Sequence, residues 1–440
     1  MFPFPKRFWD YALVSTKRFK RMQYALLGGG ALGLMAAYRL AQAGQAVMVF
    51  EQEKTAGGLA AGFRVGDSWL DKFYHHLFRS DKTAIKIIEE LGLQLDWHRP
   101  RTVSLINGTF EQLDSPLTLL QFKPWRIDER LRVAAVLAFL KLANPAWLEG
   151  QTADAWLRHW MGKRTYEMLF EPLFIGKFGA LHDRIALPWF WARLHDRTTQ
   201  LGYLNGGFQL LYERLVEGIC ARGGKVLLGT RVEKVEQIAG RWQVQSSQGD
   251  WTFDRVISTL PTRLTCRLIP ALPPEYRARY DWGQAYGAHC LILALDRKLT
   301  NTCYWINICD RGYPFMAMVE HTNFRSPAEY GGRHLVYLGN YRAMDDPLFT
   351  MSKEEVQAAF IPHLQRIIPT FQPEWIQESW MFKAPFAQPI VTTDYHEHIP
   401  PSHTPLEGLW VANMFQVYPH DRGQNYSLEL AERLVKQLLY

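Results

Sequence analysis

Three glycines, Gly28, Gly30 and Gly33, separate an apolar run at residues 24–27 from an apolar helical run, and they constrain this chain more than any other feature. The apolar run suits a buried parallel strand. Gly28 permits a tight turn, Gly30 lets the backbone approach a pyrophosphate, and Gly33 lets the following helix pack on the strand. The amides of Ala31, Leu32 and Gly33 then open a helix expected over residues 31–43, whose N-terminus favours phosphate. Gly44 ends it. A second strand at 47–50 delivers Glu51 to its carboxyl end, where a carboxylate can accept hydrogen bonds from ribose hydroxyls. The distance from the glycines to Glu51 is close to the ~20 residues this arrangement requires. Strand, turn, helix, strand and acid in this order predict a dinucleotide-binding fold.

Glu51-Gln52 is followed by Gly57-Gly58-Leu59. With this addition the opening resembles the FAD family that holds amine oxidases, protoporphyrinogen oxidases, phytoene desaturases and UDP-galactopyranose mutases. Many of its members carry an arginine where this chain has Leu59. Residues 206–208, 225–235 and 256–261 resemble the family's middle segment, and Val232 takes the position that contacts the adenine side. Residues 408–413 resemble the family's last strand, with Asn413 in place of a glycine. Asp421-Arg422-Gly423-Gln424-Asn425 then leads into a terminal helix. The resemblance implies FAD as cofactor. It places Gly28, Gly30, Ala31, Leu32, Gly33, Glu51, Gln52, Gly57, Gly58, Leu59, Val232, Asn413, Arg422, Gly423 and Asn425 along the cofactor. Amide dipoles at the start of the last helix would favour negative charge on a reduced flavin.

The 440 residues exceed one compact domain. The expected architecture is α/β, a Rossmann-type FAD-binding domain with a discontinuous, interleaved α+β substrate domain. The first is drawn from residues 22–96, 204–265 and 385–440, and the second from 97–203 and 266–384. Asn107-Gly108 is a hairpin turn. Helices are expected at 82–91, 131–142, 153–161, 165–173 and 353–368, and strands at 289–295 and 334–341. Trp189-Phe190-Trp191 reads as core.

Residues 1–21 carry six Lys or Arg against one Asp, most of the chain's net charge of +7. They form a basic, aromatic N-terminal extension. The readings are a peripheral membrane contact on anionic lipid, a disordered leader, or an upstream start for a chain that begins at Met22. Five scattered cysteines without CxxC spacing fit a reducing cytoplasm, and no His/Cys cluster has zinc spacing. A small-molecule substrate is expected and a nucleic acid is not. The sequence leaves the oligomeric state open.

Four residues are candidates for the chemistry. His75 and His76 follow the Gly-Gly segment and titrate near neutrality. Lys383 resembles the lysine that many amine oxidases hold near flavin N5, with a solvated lysine as the alternative reading. Tyr418 precedes the last helix as an aromatic wall. The expected activity is FAD-dependent oxidation, hydride leaving a substrate C–H bond as in amine oxidation or desaturation. The alternative is isomerisation without net redox change, as in the mutases, which need an arginine pair for a diphosphate. Arg79, Arg193, Arg197 and Arg342 are the candidates for that pair. A structural, non-catalytic flavin is the third reading.

Overall fold

The computed structural model describes residues 21–440, so the remainder of the N-terminal extension lies outside the described residues. The glycine turn organises a five-stranded parallel sheet. Its order is Lys225–Leu227, Ala46–Phe50, Gln23–Leu27, Arg255–Ser258 and Leu409–Val411. The central strands are buried on both faces, as their continuous apolar sequences require. Helix Ala31–Gln42 leaves the turn and packs between helices Gln209–Cys220 and Gln424–Leu439. The first and last helices of this layer therefore support each other across almost the whole length of the chain.

The second sheet has seven strands. It runs Ile376–Pro389, Ala285–Leu295, His334–Arg342, Ala317–Glu320, Cys303–Ile308, Arg101–Ile106 and Thr109–Glu111. Most pairs are antiparallel, and Asn107 and Gly108 turn the last hairpin with positive φ. Helix Lys353–Ile367 covers one face, with Val356, Phe360 and Leu364 buried against the sheet. A smaller antiparallel sheet, Val232–Ile238, Arg241–Ser246 and Gly249–Phe253, buries Trp242 against the parallel sheet.

A helical layer between Pro116 and Asp196 has its own core, including Trp125, Tyr166, Trp189 and Trp191. The helix expected at 165–173 is interrupted by a π-helical turn, Tyr166–Phe170, before helix Glu171–Phe178. Helix Ile127–Leu142 is unusual on its outer side. Ile127, Leu131 and Leu142 are 71%, 58% and 87% exposed along one stripe, beside Trp147 at 68% and Trp160 at 52%. Their spacing is that of one helical face.

Candidate functional site

Local chemistry makes the glycine turn a cradle. Gly28 adopts φ +108°, and a Cβ there would meet Thr259 Oγ1 at 2.6 Å. A Cβ on Gly33 would lie 2.0 Å from the Gly28 carbonyl, so the helix can pack at this distance only without a side chain. Above Gly30 there is open space, bounded only by the Gly58 Cα at 4.0 Å. Gly30 and Gly57 form a parallel bridge, and the Gly57 N–H donates to the Gly29 carbonyl at 2.8 Å. The helix that starts at Ala31 has no side-chain cap, which leaves its first amides open to an anion. Ala31, Leu32 and Gly33 form that first turn.

Glu51 is buried at the end of its strand. Its two carboxylate oxygens accept the Gly29 N–H at 2.7 Å and the Glu53 N–H at 2.9 Å. This fixes the carboxylate while leaving lone pairs for a ribose. Gln52 follows, exposed. The Thr230 N–H donates to the Glu51 carbonyl, which draws the segment leading to Val232 alongside. A cradle shaped by missing Cβ atoms, an uncapped helix start and an anchored carboxylate fit the diphosphate and ribose of a dinucleotide.

A cleft opens between the seven-stranded sheet and the segments that hold Leu59, residues 73–75 and Arg422. Its lining includes Leu59, Phe73, Tyr74, His75, Tyr341 and Arg422. Ala288, Tyr341 and Ala384 are neighbours in register and share the sheet face toward Leu59 and Phe73. Buried polar atoms without partners gather here: His75 Nδ1, Arg422 Nε and, nearby, Gln388 Oε1. Such atoms are costly unless a ligand or water meets them. Burial, with Arg422 adding to it, pushes the His75 imidazole down to about 4. Burial and then Arg197 push His76 down to about 3. Both rings are neutral at pH 7. The hydroxyl of Tyr74 is held well above its usual range by burial.

Behind this wall, Asp71 is buried with the Tyr203 hydroxyl donating to Oδ2 at 2.8 Å and the Tyr337 hydroxyl donating to its carbonyl at 2.8 Å. Its Oδ1 has no partner, and burial raises its carboxyl to about 8.

Four of the expected site residues have partners of their own in the structure. Lys383 pairs with His289 in register, one residue away from the face that carries Ala384. Side chains alternate along a strand, so Lys383 turns to the opposite side. There its ammonium donates to the carbonyls of Phe349 and Met351 at 2.9 and 2.7 Å and stays outside the cleft. Tyr418 is half-buried against the helical layer's core, stacked on Tyr395, and donates to Glu149 at 2.7 Å. Asn413 spends its side chain on internal bonds: Nδ2 donates to Leu260 O and Thr262 Oγ1, and Oδ1 accepts the Phe415 N–H. Asn425 accepts the Ala84 N–H at 3.0 Å, tying the last helix to helix Lys82–Glu90.

Of the remaining candidates, His75, Leu59 and Arg422 meet at the cleft. His76 lies one step back, 3.3 Å from the Tyr304 hydroxyl. Gly423 is the extended residue before helix Gln424–Leu439, which starts without a side-chain cap. Tyr341 and Lys177 escaped the sequence reading. Lys177 had a signal, a lone cation in the apolar run of residues 173–178. Tyr341 had none, since it ends an ordinary strand.

The sequence pattern of the flavin containing amine oxidoreductases matches residues 33–420. The chain belongs to that family. Among its relatives is the 15-cis-phytoene desaturase of Synechococcus elongatus, 22% identical over 438 residues, 89% of this chain and 90% of the relative. The fold is shared with a candidate protoporphyrinogen oxidase from Exiguobacterium sp., with TM-score 0.76 and 18% identity over 96% of this chain and 99% of that one. It is shared equally with a reduced UDP-galactopyranose mutase, with TM-score 0.75 and 13% identity over 95% of each chain. As an amine oxidoreductase of this family, the protein is an FAD-dependent oxidoreductase. No helix among the described residues is long and apolar enough to cross a membrane.

Proposed function

We propose that this flavoprotein oxidises a small molecule by removing hydride from a C–H bond, with the substrate held in the cleft between Leu59, Tyr74, His75, Tyr341 and Arg422. The observation that carries this reading is a cleft whose polar groups are neutral or fixed cations, with no carboxylate in its lining among the described residues. When bound, FAD supplies the hydride acceptor and passes the electrons to an external oxidant.

The chain's residues supply placement and exclusion of water. Leu59, Phe73, Ala288 and Ala387 form an apolar wall. The neutral His75 imidazole, with Nδ1 unpaired, is free to hydrogen-bond the substrate. It is too weak a base to take a proton at neutral pH, and loss of a hydride does not require it to. The uncapped start of helix Gln424–Leu439 favours negative charge, which suits a reduced, anionic flavin.

The test is anaerobic mixing of the FAD-loaded protein with 15-cis-phytoene, putrescine or other C–H donors, followed by air. Bleaching of the flavin spectrum by one class of donor, with recovery under oxygen or a quinone, supports the reading. The rate should show no inflection from His75 between about pH 6 and 8, since its ring titrates near 4. Turnover that needs a pre-reduced flavin and moves no net electrons would overturn it in favour of isomerisation.

A further inference from the structure

The stripe on helix Ile127–Leu142 belongs to a larger apolar surface. Twelve large apolar side chains are exposed among the described residues, and eight of them fall between Leu117 and Trp160, so they form a patch and not a scatter. On the helix itself, Ile127, Leu131, Ala135, Ala138 and Leu142 recur at steps of three or four residues, and all five are exposed. Val133, Val136 and Leu140 stand on the opposite side, buried in the helical layer's core. The helix is therefore apolar on two sides, and the fold covers one. Phe139 stacks on Trp156 with ring centroids 6.1 Å apart, and Trp156 lies 6.1 Å from Trp160. This row of rings carries the surface onto helix Ala153–Met161. Leu117 and Leu120 are exposed on the neighbouring helix, Pro116–Leu120.

Cations outnumber acids around this surface. Between Pro116 and Thr165 there are eight Lys or Arg and four Asp or Glu. Arg126 and Arg164 are paired with Asp128 and Glu129. Lys123 and Arg132 are exposed and make no ion pair among the described residues, and Arg132 borders the stripe directly after Leu131. The surplus is positive, so the surface complements an anionic partner.

The shape of the surface selects the partner. The stripe is the crest of a helix and not a groove. A protein would have to offer a groove to receive it, whereas a lipid leaflet yields to a ridge. The helix has 16 residues. At ~1.5 Å per residue it is too short for the ~30 Å of hydrocarbon that a crossing requires, so it can only lie in the plane of a lipid surface. An apolar crest with tryptophans beside it and Lys and Arg at its borders is the pattern of an interfacial helix. We propose that the outer face of helix Ile127–Leu142, with Trp147 and Trp160, docks this protein on the surface of a membrane that carries anionic lipid. The crest enters the boundary between head groups and acyl chains, ~5–10 Å deep, and the surplus cations stay at the level of the lipid phosphates. This contact involves neither residues 1–21 nor the oxidation proposed for the cleft.

The experiment is flotation of the full chain, loaded with FAD, on vesicles of phosphatidylcholine with and without phosphatidylglycerol, the bound fraction being read from flavin absorbance. The expected result is binding to the vesicles that contain phosphatidylglycerol, weaker on phosphatidylcholine alone, that falls ~10–100-fold in the double variant Leu131→Gln, Leu142→Gln. Both side chains already face water, so FAD content and Tm of the double variant should match the parent's. Ile238→Gln changes a side chain that is 51% exposed on the small antiparallel sheet, and it should bind as the parent does. Equal binding by parent and double variant overturns the proposal and moves the membrane contact elsewhere in the chain. Equal binding to both kinds of vesicle overturns the requirement for anionic lipid. Absence of binding to either overturns the proposal outright, and a parent that is dimeric beside a monomeric double variant by analytical ultracentrifugation would then assign the face to a second copy of the chain.

Discussion

Glu51 and Asp71 are both buried carboxyls, and they differ in their partners. Glu51 has two backbone donors, one on each oxygen, which fix its side chain at the end of its strand. Asp71 has one hydroxyl donor and an unpaired oxygen, so burial wins and its pKa rises from 3.8 to about 8. The folded protein then holds a proton that the unfolded chain has already released. Stability contributed by Asp71 is full below the unfolded value and falls as pH rises from about 4 to 8. His75 and His76 act in the other direction. Their folded values lie below 6.5, so stability is lost as pH falls through that value. Asp71→Asn keeps an acceptor for Tyr203 and removes the titration. Denaturant melts between pH 5 and 8 should lose their downward slope in this variant, and an unchanged slope would show that Asp71 is ionised throughout.

At the scale of elements, the cleft depends on alternation in the seven-stranded sheet. Gly339 faces Tyr74 so closely that a Cβ would meet the ring at 2.5 Å. Tyr74 is itself wedged edge-on to Trp305 at 4.8 Å, so it has little room to give. Gly339→Ala should drive the ring into the cleft and lower kcat/KM about tenfold with FAD content unchanged, at a stability cost of about 1–3 kcal/mol. Parent-like kinetics would mean that Tyr74 is not part of the substrate wall. The same alternation explains what the sequence could show. The glycine turn, its helix and Glu51 are legible because each needs only its neighbours. Which of the two readings of Lys383 holds depends on register with His289, a pairing across almost a hundred residues. Asn413 and Asn425 lie in segments that resemble the family's, yet their side chains answer to partners far away in sequence. The meeting of Lys177 with Asp421 joins the helical layer to the last helix, and no local periodicity encodes it.

At the scale of the whole molecule, the nucleotide cradle is assembled from distant pieces: the glycine turn, the Gly57-Gly58 turn and the segment after Gly229. A ligand that bridges them stabilises the native state alone. Saturation at about a thousand times Kd corresponds to roughly 4 kcal/mol. Removing FAD should therefore lower Tm by a few degrees, restored on adding FAD and not on adding riboflavin, which lacks the diphosphate. Equal Tm values with and without FAD would mean that the cradle contributes nothing to binding.

The outer stripe of helix Ile127–Leu142 bears on how the protein behaves in a tube. Its exposed Ile127, Leu131 and Leu142, with Trp147 and Trp160 nearby, keep apolar area in water that the fold never retrieves. Between Pro116 and Thr165 there are eight Lys or Arg and four Asp or Glu, so this lobe is cationic as well as greasy. Mutual repulsion holds such lobes apart in dilute buffer, and salt screens it within about 10 Å at 0.1 M. Solutions of this flavoprotein are thus colloidally safest at low ionic strength, the opposite of the usual habit of adding salt to keep a basic protein in solution.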